Sequence, residues 1–372
     1  MKRVMVTGGA GFVGSHVVDE LVSLGAEVIV LDLLHPAAHG AEPSYLNPGA
    51  QYVFGDIRNV DLVERCVAGV DAVCHQASMV GLGTDFNDAT DYVSHNDLGT
   101  AALLVAMHRA GSRGRLVLAS SMVVYGEGWY RCDEHSAVRP RPRERPGLDA
   151  GRFQPTCPVC DRPLSAETVT EDSPLDPTSV YASTKVHQEH LCAAFARETG
   201  LPITTLRYHN VYGPRMPRET CYAGVVSVFR SELEAGRAPH VFEDGRQLRD
   251  FVHVRDVARA NMMALTADPP VTGAFNIASG TPRTVLQMAE TLASAFGPDA
   301  PRPVVTGEYR LGDVRHILAS PALARERLEF EAGVPFEEGM WEFARAPMRE
   351  TAGATVGRKA LEAVRHVTPE CE

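Results

Sequence analysis

Residues 1–34, MKRVMVTGGAGFVGSHVVDELVSLGAEVIVLDLL, decide the fold. A short apolar strand, Val4 to Val6, runs through Thr7 into Gly8, Gly11 and Gly14, and then into a helical stretch that opens with Phe12 and Val13. Glycines at that junction let backbone N–H groups at a helix N-terminus approach a pyrophosphate with no Cβ in the way. The spacing is Gly-x-x-Gly-x-x-Gly rather than the commoner Gly-x-Gly-x-x-Gly, so context carries the reading. A second apolar strand, Glu27 to Leu31, ends at Asp32, 18 residues beyond Gly14. A carboxylate there meets the adenosine ribose hydroxyls and repels a 2′-phosphate, so the expected dinucleotide is NAD rather than NADP.

The alternation continues. Strand-like runs at Tyr52–Phe54, Ala72–His75, Leu116–Ala119 and Thr204–Tyr208 are separated by helix-length segments. That pattern predicts an α/β protein with a Rossmann-type doubly wound parallel sheet. Helices over Asn96–Ala110 and Tyr181–Glu198 carry apolar residues at i, i+3, i+4 spacing. Each packs on a sheet with one face and leaves another for a homodimer with a four-helix interface, although core packing alone also accounts for the stripes. From Pro214 the pattern shortens, with turns at Asp244-Gly245, Ser279-Gly280 and Gly312-Asp313. The expected division is a dinucleotide domain over 1–213 with an insert at 127–172, a smaller, mainly substrate-binding α/β lobe over 214–346, and a tail over 347–372 with a short helix at Arg358–Val367.

At 372 residues, 44% hydrophobic and 22% charged, the chain has material for such a core and one further lobe. Its formal charge of −11, from 36 Lys+Arg against 47 Asp+Glu, argues against a nucleic-acid partner. No run of 18 apolar residues is present, and the apolar stretch before Thr7 is too short for a secretory signal. The expectation is a cytoplasmic protein with no membrane association. Cys66, Cys74, Cys192, Cys221 and Cys371 are scattered, as reduced thiols are, whereas Cys132, Cys157 and Cys160 are grouped.

Tyr181 and Lys185 stand one helical turn apart, and Ser120-Ser121 closes the strand Leu116–Ala119 at the edge where a dinucleotide lies. A tyrosine of pKa near 10 needs a shift of about three units, roughly 4 kcal/mol, to act as a base near neutrality. A nearby ammonium and the nicotinamide cation supply it.

With these motifs in this order, residues 1–345 resemble an extended short-chain dehydrogenase/reductase of the NAD-dependent nucleotide-sugar epimerase/dehydratase family. Asp56-Ile57 after the third strand stands where the family meets adenine. Gln76, Ala77 and Ser78 run along the cofactor, and Asn96 matches a family asparagine on the following helix. The resemblance implies Ser121 as the catalytic hydroxyl, Tyr181 as the base and Lys185 as the cation that holds the ribose, with Tyr208 and Val211 also beside the cofactor. Asn210, in Tyr-His-Asn-Val-Tyr-Gly-Pro-Arg, and Arg249 match positions that hold a diphosphate. Arg310 and Asp313, in Arg-Leu-Gly-Asp, match an arginine on phosphate and a carboxylate on the nucleoside ribose, and Val225 lines the substrate site.

Family dehydratases carry Asp-Glu directly after the catalytic hydroxyl; this chain has Met122 and Val123. The minimal set left suits 4-epimerisation by transient oxidation at C4, on a dTDP- or UDP-hexose, dTDP-L-rhamnose foremost. UDP-glucose or UDP-glucuronate as substrate, a dehydrogenase or reductase with exchangeable cofactor, and a non-catalytic NAD-binding sensor or scaffold are the alternatives. The last has no need of Ser121, Tyr181 and Lys185.

Between Ser121 and Tyr181 lie far more residues than compact relatives use. Cys132-x-x-His135 and Cys157-x-x-Cys160 form a Cys₃His set suited to a structural Zn²⁺, with no open position for chemistry. A metal-free Cys157/Cys160 dithiol with an ordinary surface His135 is the other reading. The intervening stretch, with Pro140, Pro142, Pro146 and arginines at 139, 141, 143, 145 and 152, has little capacity for a core. It serves as a lid or subunit contact, its arginines meeting substrate phosphates or simply solvent.

Overall fold

The computed structural model describes residues 2–36, 38–81, 86–218 and 224–349. Its centre is a seven-stranded sheet, all parallel, ordered Gly273–Ile277, Ile203–Tyr208, Arg115–Ser121, Ala72–His75, Arg3–Thr7, Glu27–Asp32, Ala50–Phe54. Strand side chains alternate faces, and both faces are covered. Val4, Val6, Val28 and Val30 pack against helices Phe12–Ser23 and Val254–Thr266, while Met5, Ile29 and Leu31 pack on the opposite side, with Leu103 and Cys192 of helices Gly99–Arg109 and Val180–Thr199. This double burial makes the strands read as continuous apolar runs. Each such side chain contributes about 1.5–3 kcal/mol by leaving water.

The six expected strands form, each within two residues of its predicted span. The seventh, Gly273–Ile277, lies in the stretch assigned to the second lobe, so the chain re-enters the first sheet after residue 214 and the lobe is not one contiguous piece. Its sequence, GAFNI, is too short and mixed to stand apart from a loop. The smaller lobe has its own core, where Phe229, Met288, Leu292 and Phe343 meet from helices Val225–Glu234, Val285–Phe296 and Phe336–Arg345.

The helix carrying the Tyr-x-x-x-Lys pair spans Val180–Thr199. The Ser179 side chain accepts from the Ala182 N–H at 3.1 Å to begin it, and Gly200, at φ 74°, ends it. The preceding helix begins at Ala89 rather than Asn96, with a π-helical turn over Val93–Leu98 that turns Asn96 inward.

The insert departs from expectation. Strands Trp129–Cys132, Ser136–Val138 and Ser165–Val169 form a sheet with Leu318–Ala319 of the second lobe, and Tyr130, Cys132, Cys157 and Leu164 make a small core. The polar arginine-proline stretch hid the apolar residues flanking it. The tail helix at Arg358–Val367, Cys221 and Cys371 lie outside the described residues. Among the described residues no helix is long and apolar enough to cross a membrane.

A Cβ at Gly14 would lie 2.2 Å from the Gly8 carbonyl oxygen and 2.9 Å from the Gly9 Cα. Backbone, not a flexible side chain, stands in the way. Gly14→Ala is therefore expected to cost about 2–3 kcal/mol, lowering the melting temperature by several degrees and emptying the purified protein of NAD. Calorimetry and cofactor absorbance check both.

Candidate active site

At the sheet's C-terminal edge the glycine loop folds on itself: Gly11 N–H donates to the Gly8 carbonyl at 3.1 Å, and Gly8 adopts φ 67°. A Cβ at Gly8 would sit 2.7 Å from the Ala77 nitrogen, so the strand end Gln76–Ser78 packs directly on the loop. Helix Phe12–Ser23 begins at Gly11 with no side-chain cap, which leaves its first amides for an anion. This cradle fits a dinucleotide pyrophosphate. Asp32, 9% exposed, accepts from Ala10 N–H at 3.0 Å and Leu34 N–H at 2.8 Å, so this acid braces the loop. Burial raises its carboxyl above the usual range, against those two bonds and the charge of Arg349.

Arg349 is a residue the sequence reading missed. It is held by pairing with Pro217 and lies beside Asp32, His39 and Tyr45, with its Nε and Nη1 enclosed and unpartnered. No local motif marks it, because it reaches the glycine loop from the far end of the chain.

Other expected cofactor residues are arranged unequally. Asn96 is fully buried: its Oδ1 accepts from Met79 N–H at 2.7 Å and the Ser78 hydroxyl at 3.0 Å, and its Nδ2 donates to Thr184 Oγ1 at 2.9 Å. It thus clamps the Gln76–Ser78 strand end to the Tyr181 helix. Asp56 is gripped by Arg58 at 2.5 Å, which holds its carboxyl below the ordinary range, and Ile57 is a core residue under Gly99. The Tyr208 hydroxyl is used within the protein, donating to Asn261 Oδ1 at 2.9 Å and accepting from Gln76 Nε2 at 3.0 Å. Phe12 and Val13 pack on the two lobes' cores, and Val211 sits in the short strand Asn210–Tyr212 paired with Phe251–His253.

Ser121, Tyr181 and Lys185 come together at the end of Arg115–Ser121. The Tyr181 hydroxyl is hydrogen-bonded with Ser121, and Lys185 Nζ lies 5.8 Å from the tyrosine ring centroid while donating to the Ala119 carbonyl at 3.0 Å. Burial pushes Tyr181 up to about 12 and Lys185 down to about 7, the latter opposed by Glu189 and Asp97. The protein without its cofactor therefore does not lower the tyrosine's pKa.

Behind this trio lies a second pair absent from the sequence reading. Glu189 receives Arg207 Nε at 3.0 Å and Nη2 at 2.7 Å, and also the Ser120 hydroxyl at 2.5 Å. A signal existed: Glu189 follows Lys185 by one helical turn, on the same buried face.

On the substrate side, Asn210 Oδ1 and Arg310 Nε are buried without partners, as polar atoms awaiting a ligand are. Arg249 is occupied instead: its guanidinium donates to the carbonyls of Leu248, Val314 and Arg315 at 2.9, 2.6 and 3.0 Å, tying down the turn after Asp313. Val225 opens its helix beside residues 219–223, which lie outside the described part.

In the insert, Cys132, His135, Cys157 and Cys160 place one ligand atom each within 4.8 Å of one another. Cys132 Sγ is 3.6 Å from Cys160 Sγ and 3.5 Å from His135 Nδ1, and Cys157 Sγ is 3.6 Å from that same nitrogen. Sulfurs at about 2.3 Å around a tetrahedral zinc stand about 3.75 Å apart, so the donor set fits the ion. His135 and the Glu134 amide pull the Cys132 thiol down to about 6.

A dinucleotide cradle beside a Ser/Tyr/Lys centre defines an NAD-dependent enzyme working at the edge of a Rossmann sheet. Residues 4–147 and 151–278 match the NAD dependent epimerase/dehydratase family. The chain is 32% identical over 346 residues to a dTDP-L-rhamnose 4-epimerase of Burkholderia thailandensis, covering 92% of this chain and 93% of that one. It superposes on the UDP-glucose 4-epimerase of Thermotoga maritima with UDP-glucose at a TM-score of 0.74 and 31% identity, over 92% of this chain and 97% of that one. The Thermus thermophilus UDP-glucose 4-epimerase complex with NAD gives 0.73 and 29%, with the same coverage. The chain belongs to the NAD-dependent epimerase/dehydratase family.

Tyr181→Phe removes the phenolic hydroxyl that stands with Ser121 and Lys185. It is expected to lower kcat by about 10²–10⁴-fold while NAD content stays unchanged; activity surviving within threefold overturns the base assignment.

Proposed function

We propose that this chain is a nucleotide-sugar 4-epimerase acting on dTDP-L-rhamnose or a related dTDP- or UDP-hexose. The observation that carries it is the active-site set itself. Ser121, Tyr181 and Lys185 converge, while the two positions after Ser121 are Met122 and Val123, neither of which can carry the protons of an elimination. The glycine loop and Asp32 would hold NAD, which would supply a reversible hydride acceptor for C4. Tyr181 takes the 4-hydroxyl proton and gives it back, Ser121 Oγ holds that hydroxyl in line, and Lys185 keeps positive charge beside the phenolate. The sugar is held through its diphosphate and nucleoside by Asn210, Arg310 and Asp313, which leaves the ring free to present either face. The Burkholderia thailandensis relative supports dTDP-L-rhamnose; the two UDP-glucose 4-epimerase structures support UDP-glucose as the second choice.

Proton NMR of the protein with dTDP-L-rhamnose, UDP-glucose and UDP-glucuronate in separate samples is expected to show inversion of the H4 couplings in one of them. Absorbance at 340 nm should stay flat. Steady NADH accumulation instead identifies a dehydrogenase, and the epimerase reading falls.

The Cys₃His set is proposed to hold one structural zinc. Metal analysis should give about one ion per chain and none in Cys157→Ser; a metal-free wild-type protein refutes the site. On the paired helices Gly99–Arg109 and Val180–Thr199, Val105 is 43% exposed and Ser183, His187 and Ala194 are exposed too, with Leu98, just before the first helix, 54% exposed, which supports a homodimer through four helices. Light scattering should return twice the 40.3 kDa chain mass, and a monomer at micromolar concentration rules the dimer out. The lone buried thiols Cys66, Cys74 and Cys192 fit a cytoplasmic setting.

A further inference from the structure

The insert does more than stand beside the active site. Its guanidinium Arg143 reaches out of the Cys₃His lobe, is only 9% exposed, and pairs with Glu243 at 2.7 Å. The same guanidinium donates to the Asp313 carbonyl at 2.5 Å and to the Phe153 carbonyl of the insert at 3.3 Å. Glu243 is buried in the second lobe at φ 54°, a left-handed conformation that a residue with a Cβ adopts only when its surroundings hold it there. Its N–H donates to the Glu308 carbonyl at 2.7 Å and its carbonyl accepts from Gly307 N–H at 3.2 Å, while its carboxylate takes a pair of cations: Arg143 on Oε1 and Arg315 on Oε2 at 2.6 Å.

Further bonds run the same way. Glu127 accepts from Arg315 N–H at 2.8 Å, the Tyr130 hydroxyl accepts from His316 N–H at 3.1 Å, and Gln154 Oε1 meets His316 Nε2 at 3.0 Å. Leu318–Ala319 completes the insert's sheet by pairing with Thr168 and Val169. Every residue from 313 to 319 except Val314 and Ile317 is thus bonded or paired to the insert or to Glu243. Burial raises the Asp313 carboxyl, and the charges of Arg310, Arg249 and Arg143 work against that.

We propose that Arg143 is a positioning residue for the nucleoside diphosphate end of the substrate, and that the metal-clipped insert sets this affinity by holding Arg143 against Glu243 and Asp313. The inference rests on the nucleotide-sugar reading of the site. Arg143 touches neither the cofactor cradle nor Tyr181. Its loss therefore weakens nucleotide binding without disturbing NAD, and loss of the metal does the same through the same segment.

The test titrates dTDP and UDP into NAD-loaded full-length protein by calorimetry. With the tighter of the two, Arg143→Gln is expected to raise Kd at least tenfold at unchanged NAD and zinc content, and Arg143→Lys to recover most of that loss by restoring the charge beside Glu243. Cys157→Ser should raise Kd similarly, and the Cys157→Ser/Arg143→Gln double variant should be no weaker than the worse single one, because both act through one segment. Full affinity in Arg143→Gln, multiplying effects in the double variant, or a Lys variant as weak as Gln overturns the proposal while leaving the epimerase reading intact. Failure of wild-type protein to bind either diphosphate removes both.

Discussion

The Glu189–Arg207 ion pair is the fixed point of this molecule. It sits where the helix Val180–Thr199 crosses the strands Arg115–Ser121 and Ile203–Tyr208, and both side chains are under one-tenth exposed. Arg207 also donates to the Tyr125 hydroxyl at 2.8 Å and the Glu171 carbonyl at 3.0 Å, at the two ends of the insert. Tyr125 in turn donates to Asn276 of the seventh strand at 2.8 Å. Two charges removed from water cost several kcal/mol, and stripping one partner leaves the other stranded at about 3–5 kcal/mol. The pair is tolerated because both Glu189 oxygens and four of the five Arg207 N–H groups are hydrogen-bonded within the protein. Its consequence is positional: Ser120, hydrogen-bonded to Glu189, fixes its neighbour Ser121 one residue on, and Lys185 feels the Glu189 charge from the turn below.

The dinucleotide half was legible because its chemistry is local. Gly8, Gly11, Gly14 and Asp32 lie within one βαβ unit, and the strands around them are buried on both faces, so they announce themselves as apolar runs. Tyr181 and Lys185 were legible for the same reason, as two positions on one helix face. What escaped was assembled from afar. Arg349 meets Asp32 across the whole chain, Arg207 finds Glu189 through the sheet, and Gly273–Ile277 becomes a strand only because Ile203–Tyr208 offers it an edge. Arg249, matched by its motif to a phosphate-holding position, also donates to three backbone carbonyls, a structural bond set that the motif does not announce.

The insert illustrates how composition misleads at short range. Its prolines and arginines read as a coreless, solvated loop, yet Arg139 lies over Trp129, Arg143 is buried against Glu243, and Tyr130 and Leu164 close a small core around the cysteines. Cys132 and Cys157 belong to that core as much as to the ligand set. Ile317 packs with Val124, Tyr125 and Val169, at the joint between insert and sheet.

The return of Gly273–Ile277 to the sheet bears on how the chain can be made and broken. Ile203–Tyr208, buried at all six positions, has a neighbour on each side only after the ribosome has delivered residue 277. Until then that side of the six-residue strand is an open edge with unpaired backbone groups, the kind of surface that recruits another strand. A fragment ending at residue 213 would carry the complete glycine cradle and the Tyr-x-x-x-Lys helix and still expose that edge. A terminus cut there leaves the sheet one strand short, and the segment after residue 213 is the physical completion of the first lobe.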